Sequence, residues 1–226
     1  MHLLVDWEHP CDRKKGEHYV KLLSVLRDFF PAPRFLLTSA LPVGEFCLRN
    51  IDLHATSRYC DFINMMGYDF AGSWTELSGN QAQLISPPNP HNAFAKRSVE
   101  NGVEYLQTHG VPPRKILIGI PVYGRSFLGA TGVGQPFTGE GGENGVFEFK
   151  DLPRPGTEET TDRKLGAAFC VGGDGGFVSY DNPETVKMKA KYAKEHKNAG
   201  LFYWTGTYDA KGPRSLVETG YKELNL

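Results

Sequence analysis

The sequence predicts an α/β chain built on a parallel sheet covered by helices, with a small α+β subdomain inserted late. Three observations predict it. Short apolar runs alternate with amphipathic helical stretches, and the runs are apolar at consecutive positions, as strands under helices are. The alternation breaks between residues 127 and 180, where glycine dominates. This division assigns residues 1–127 and 181–226 to the main unit and 128–180 to the insertion. The 226 residues, 40% hydrophobic, suffice for a packed core.

Taken in order, "LLVDWEHP" opens with Leu3, Leu4 and Val5 as a buried strand, which Pro10 stops. Alternation puts Leu4, Asp6 and Glu8 on one face and Leu3, Val5 and Trp7 on the other. "KKGEHYVKLLSVLRDFF" carries Tyr19, Leu22, Leu23, Leu26 and Phe30 at helical spacing. "PAPRFLLTSALP" is a second strand, "IDLHATSRY" a short helix and "CDFINMMGYDF" a third strand. Residues 98–109 read as a helix and "RKILIGIPVYGRSF" as a fourth strand. "NPETVKMKAKYAKEHK" is a helix with Asn182 as N-cap and Pro183 at its first position, and "AGLFYW" is the last strand. The inserted stretch holds "GEGGENG" and "VGGDGGF", yet Val146, Phe147 and Phe149 give it apolar material of its own. It therefore reads as a subdomain and not a linker.

Composition excludes several function classes. With 25 basic and 26 acidic residues well mixed, there is no nucleic-acid or anionic-membrane footprint. No apolar run reaches the roughly 18 residues of a membrane span, and the N-terminus lacks signal-peptide character. Cys11, Cys47, Cys60 and Cys170 make no C-x-x-C pair, and their spacing does not supply a connectivity. The seven histidines form no H-E-x-x-H, and no lysine follows the glycine runs at P-loop spacing, so neither a metal nor any other cofactor is expected.

The strand ends carry the chemistry. The first closes in Asp6-Trp7-Glu8, the third in Tyr68-Asp69, the fourth in Tyr123-Gly124-Arg125 and the last in Trp204. Sites in parallel α/β folds are built at the carboxyl ends of strands. Taken singly, Arg125 reads as a salt-bridge partner, and plain core is the alternative reading of Trp204. Together they supply acid–base groups and flat stacking surfaces, the parts needed to hold a sugar ring and protonate a glycosidic oxygen.

In that order these segments resemble the family 18 glycoside hydrolases, the chitinases. "MHLLVDWEHP" aligns with the end of the family's D-G-x-D-x-D-x-E signature, "INMMGYDFAGSW" with its M-x-Y-D segment, and "GVPPRKILIGIPVYGRSF" and "AGLFYW" with its seventh and eighth strands. The insertion, with "GVFEFKDLPRPG" and "FVSYDNPETVKMKA", is similar to that of fungal and bacterial-type chitinases. The resemblance implies a partial TIM (β/α)8 barrel, strands four to eight, with an inserted small α+β domain. It also implies hydrolysis of β-1,4 N-acetylglucosamine linkages without a cofactor, the substrate's acetamido oxygen acting as nucleophile. Glu8 then matches the general acid, Asp6 the acetamido-orienting carboxylate and Tyr68 the phenol on the acetamido carbonyl. Trp7, Met66, Asp69, Tyr123, Arg125 and Trp204 match substrate-binding positions. The implied partner is chitin or chito-oligosaccharide and the implied location extracellular; oligomeric state is not legible.

Two departures accompany the match. The family's middle Asp falls on Leu4 and its D-G on Met1-His2, so the proton sharing between neighbouring carboxylates is lost and slower turnover is expected. The match also begins at the fourth strand, and a full barrel takes about 250 residues. The expectation is an N-terminally truncated barrel. The alternatives to an active enzyme are a lectin-like binder without turnover and an inert fragment.

Overall fold

The computed structural model describes every residue except His91 and Asp174. Ten strands and six α-helices follow one another as β1 (His2–Val5), α1 (Arg13–Phe29), β2 (Leu36–Pro42), α2 (Glu45–Leu48), α3 (Leu53–Tyr59), β3 (Phe62–Met66), α4 (Val99–Thr108), β4 (Ile116–Pro121), β5 (Tyr123–Phe127), β6 (Val146–Glu148), β7 (Thr160–Asp162), β8 (Ala167–Val171), β9 (Phe177–Tyr180), α5 (Pro183–Glu195), β10 (Gly200–Trp204) and α6 (Leu216–Asn225). They form two sheets. One is parallel and open, in the order β1-β2-β3-β4-β10; the other is antiparallel, in the order β6-β5-β9-β8-β7.

Register explains where the core lies. Leu3 pairs with Leu37, Val5 with Ser39, Ser39 with Ile63 and Ile63 with Ile116. These odd-numbered positions of β1 to β3, and even-numbered ones of β4, point to the helices. There Tyr19 and Leu23 of α1, with Val99, Val103 and Leu106 of α4, close over Leu37, Leu41, Ile63, Met65, Ile116, Ile118 and Ile120. The opposite face carries Leu4, Asn64, Phe202 and Trp204 into a cleft. Leu4 is 39% exposed, so the expectation of a buried first strand is corrected. The reason is position: β1 is an edge that pairs only with β2.

Apart from α2, whose N-cap is Gly44, the helices begin where side chains can satisfy their free N–H groups. Asp12 accepts from Lys15 N at 2.8 Å, Ser98 from Asn101 N at 3.1 Å, and Asn182 from Thr185 N at 3.0 Å. At Asn182 the Thr185 hydroxyl accepts in return from the cap backbone, completing a capping box ahead of Pro183.

A second correction concerns "RKILIGIPVYGRSF". It is two strands, with β4 in the parallel sheet and β5 pairing antiparallel to β6 and β9. Pro121 ends β4, and Val122 N bonds to Trp204 O while its carbonyl accepts from Phe149 N, so the chain crosses between sheets at one residue. A buried ion pair, Lys189 to Asp181 at 2.5 Å, fixes α5 to the end of β9. Cys11 and Cys47 form a disulfide between the loop after β1 and α2, whereas Cys60 and Cys170 are buried thiols.

Candidate active site

The carboxyl ends of the parallel strands open into a cleft of about 620 Å³, lined by Asp6, Glu8, Met66, Tyr68, Asp69, Tyr123, Arg125 and Trp204. Eight of the nine residues expected from the sequence therefore meet in one place. Trp7 does not line it. The strand parity that aims Asp6 and Glu8 into the cleft turns Trp7 to the helix side, where its ring lies 6.3 Å from that of Tyr19.

Asp69 follows β3 with a φ of 59°, in the left-handed region that Asp tolerates better than most side chains. That turn hands its carboxylate to β5. The Arg125 guanidinium grips it from both sides, Nε to Oδ1 and Nη2 to Oδ2, each at 2.9 Å, and the Tyr123 hydroxyl donates to Oδ1 at 2.8 Å. Burial works against the charge of Arg125, but the hydrogen bonds and charge of Asp69 outweigh it and raise its pKa. Burial, then the Asp69 charge, pushes the Tyr123 phenol up, so it stays a donor.

Tyr68 is 9% exposed and packs edge-on against Tyr123 and Phe202, with centroids 6.1 and 6.3 Å apart. Gly119 makes the room: a Cβ there would lie 2.7 Å from Phe202 Cζ and 2.8 Å from Tyr68 Cε1. Burial raises the Tyr68 pKa, and the charges of Asp69, Asp6 and Glu8 add to it. Glu8 is also raised, first by burial and then by the Asp6 carboxylate. A carboxyl tuned upward beside a carboxylate and a protonated phenol can give up a proton and take one back. Its neighbour His9 lies 3.5 Å away, and burial lowers the imidazole pKa, which favours the uncharged ring.

Sequence reasoning missed Asn64, Glu143, Asn144, Glu148, Phe202 and Tyr208, which also line the cleft. Asn64 and Phe202 sit two residues before Met66 and Trp204 on their strands, so strand parity could have found them. Glu143, Asn144 and Glu148 come from the glycine-rich stretch, where nothing periodic marks them. Asn64 leaves its Oδ1 buried without a hydrogen bond among the described residues, on the strand position paired with Ala40. Among the described residues, no group of three or more His, Cys, Asp or Glu side chains converges as a metal site.

Fold and site define an α/β protein with an acid-lined cleft at the carboxyl ends of a parallel sheet. The sequence matches the Glycosyl hydrolases family 18 over residues 3–209, and the chain belongs to that family. It is 33% identical over 232 residues to endochitinase 1 of Metarhizium robertsii, covering 97% of this chain and 54% of that protein. The chain thus spans about half the length of the curated relatives it matches. Human YKL-39, described as a pseudo-chitinase with retained chitooligosaccharide binding, superposes with a TM-score of 0.91 at 26% identity, over 100% of this chain and 69% of that one. The Ostrinia furnacalis Group IV chitinase bound to allosamidin gives 0.88 at 28%, over 99% and 68%. These likenesses make the fold TIM-barrel-like; the parallel sheet itself is open.

Proposed function

We propose that this chain hydrolyses β-1,4 linkages of chitin or chito-oligosaccharides with retention of configuration. The observation that carries the reading is the placement of the Glu8 carboxyl, its pKa raised, in one cleft with Asp6 and the hydroxyl of Tyr68. Glu8 gives its proton to the leaving glycosidic oxygen. The substrate's acetamido oxygen attacks the anomeric carbon as that bond breaks, closing an oxazolinium ring. Asp6 accepts the acetamido N–H and offsets the positive charge, and Tyr68 donates to the acetamido oxygen. The Glu8 carboxylate then takes a proton from water, which opens the ring and restores the acid. Met66, Asp69, Tyr123 and Arg125 surround the sugar at the cleavage point, and Trp204 offers a stacking face.

The same reading takes the five parallel strands as strands four to eight of the family's barrel. Residues 128–180, with β5 as their link, are then its insertion domain. The disulfide supports action in an oxidising, extracellular setting. The test is product release from a chito-oligosaccharide by the wild-type chain and by Glu8→Gln. Release by the first alone supports the reading; none by either, or equal release by both, overturns it.

One observation favours a second reading, binding without turnover. Leu4 stands on the cleft face where the family carries a carboxylate. Saccharide binding without product release would select it.

A further inference from the structure

Asp6, Trp7 and Glu8 lie past the end of β1, and among the described residues their backbone makes no hydrogen bond. The strand they leave is four residues long and is paired only with β2. Two carboxylates whose chemistry depends on placement thus stand on a segment that the sheet itself does not hold. Tyr19 of α1 meets that segment from the helix side, and it does so twice.

The first contact is a relay of two hydroxyls. Ser39 of β2 donates to the Val5 carbonyl at 3.0 Å, and that carbonyl stands directly ahead of Asp6. A hydroxyl has one proton and a carbonyl only accepts, so the Tyr19 hydroxyl is the donor to Ser39 Oγ. The relay therefore runs one way, from Tyr19 through Ser39 to Val5. Both side chains are fully buried, and burial raises the phenol pKa, so its proton stays in place. The second contact is the Tyr19 ring, which lies 6.3 Å from the ring of Trp7. One side chain thus reaches the peptide before Asp6 and the residue before Glu8.

Stability does not account for the pair. Phenylalanine and alanine would fill the same space without dehydrating two hydroxyls, and replacing both partners of a buried hydrogen bond by apolar groups is close to neutral. What the hydroxyls add is direction. They fix the rotation of the last carbonyl of β1, and with it the line along which the chain leaves the strand toward Asp6. We propose that Tyr19 and Ser39 are positioning residues for the hydrolysis, setting Asp6 and, through Trp7, Glu8 at their places in the cleft. The inference deepens the saccharide reading and rests on it.

The test measures kcat and KM on N-acetylchitotetraose for the full chain and for Tyr19→Phe/Ser39→Ala, with a thermal melt of each. The double variant keeps a ring against Trp7 and orphans no buried donor, so it is expected to melt close to wild type. Its kcat is expected to fall on the order of tenfold while KM stays within about twofold. Binding is spared because Asp69, Tyr123, Arg125 and Trp204 stand on other strands. A role in packing alone would lower the melt and leave kcat of the folded chain unmoved. Should the double variant not fold at the assay temperature, Tyr19→Phe alone carries the test. It leaves Ser39 on Val5, so a smaller fall in kcat at constant KM is expected and an unchanged kcat counts as failure. Wild-type kcat in the folded double variant, or a fall in kcat matched by a rise in KM, overturns the inference and leaves the saccharide reading in place. No product from the wild-type chain overturns the saccharide reading and the inference with it.

Discussion

Arg125 holds Asp69 by both carboxylate oxygens, at 2.9 Å each, and in doing so joins the two sheets. Asp69 follows a strand of the parallel sheet, and Arg125 lies within the antiparallel one. The Tyr123 hydroxyl donates to the same carboxylate, so the pair and the phenol form one hydrogen-bonded group in the cleft.

Asp69→Asn removes the charge and one arm of the fork from an arginine that is 17% exposed. With solvent screening allowed for, the cost is about 1–2 kcal/mol. Urea unfolding should show a lower midpoint with the slope unchanged. An unmoved midpoint would mean that the pair holds geometry without stabilising the fold.

The raised Glu8 pKa fixes a sign. The folded chain binds this proton more tightly than the unfolded chain, so Glu8 favours folding below its unfolded pKa. That contribution is lost as pH rises through the folded value. Glu8→Gln should therefore become progressively more stable than wild type from acidic to neutral pH, in thermal melts across that range. A difference that shrinks with rising pH contradicts the assignment.

Leu4→Asp places a second carboxylate on the face that carries Asp6. Leu4 is 39% exposed, so the change is tolerated by the fold, and two neighbouring acids titrate as a coupled pair. The pH profile of kcat/KM should shift and turnover should rise. Indistinguishable profiles for the two chains would dismiss any role for the coupling.

Reducing Cys11–Cys47, which lie 36 residues apart, frees a loop of the unfolded chain and should cost about 3–4 kcal/mol. Denaturant midpoints with and without a thiol reductant measure it, with Cys11→Ser/Cys47→Ser as control. No change on reduction would show that the loop is held by packing alone.

Lys189→Met leaves the fully buried Asp181 without its cation and should cost about 3–5 kcal/mol. Adding Asp181→Leu should recover much of that loss, because the orphaned charge goes with it. A double variant as unstable as the sum of the singles would rule out coupling.

Much of this was legible in sequence because strand ends concentrate polar residues that a buried strand would not keep. Asp6, Glu8, Tyr68, Asp69 and Trp204 each follow an apolar run, and the parallel sheet brings those ends together. Trp7 misled as an aromatic among site residues, although its parity with Val5 already placed it on the helix side. The break at Val122 was hidden because β4 runs into β5 with a single residue between them, and only the change of partner divides them. Glu143, Asn144 and Glu148 reach the cleft through antiparallel pairing across a glycine-rich loop. Long-range pairing of that kind leaves no local period to read.

Gly119 carries a consequence for how natural variants of this chain are judged. One methyl group at that position would occupy space now held by the rings of Tyr68 and Phe202. A variant with alanine there would keep every carboxylate and every phenol in its sequence and would pass an inspection of catalytic positions unnoticed. Its phenol would nonetheless stand in the wrong place, so the smallest residue behind the cleft decides whether the conspicuous ones in front of it can be used.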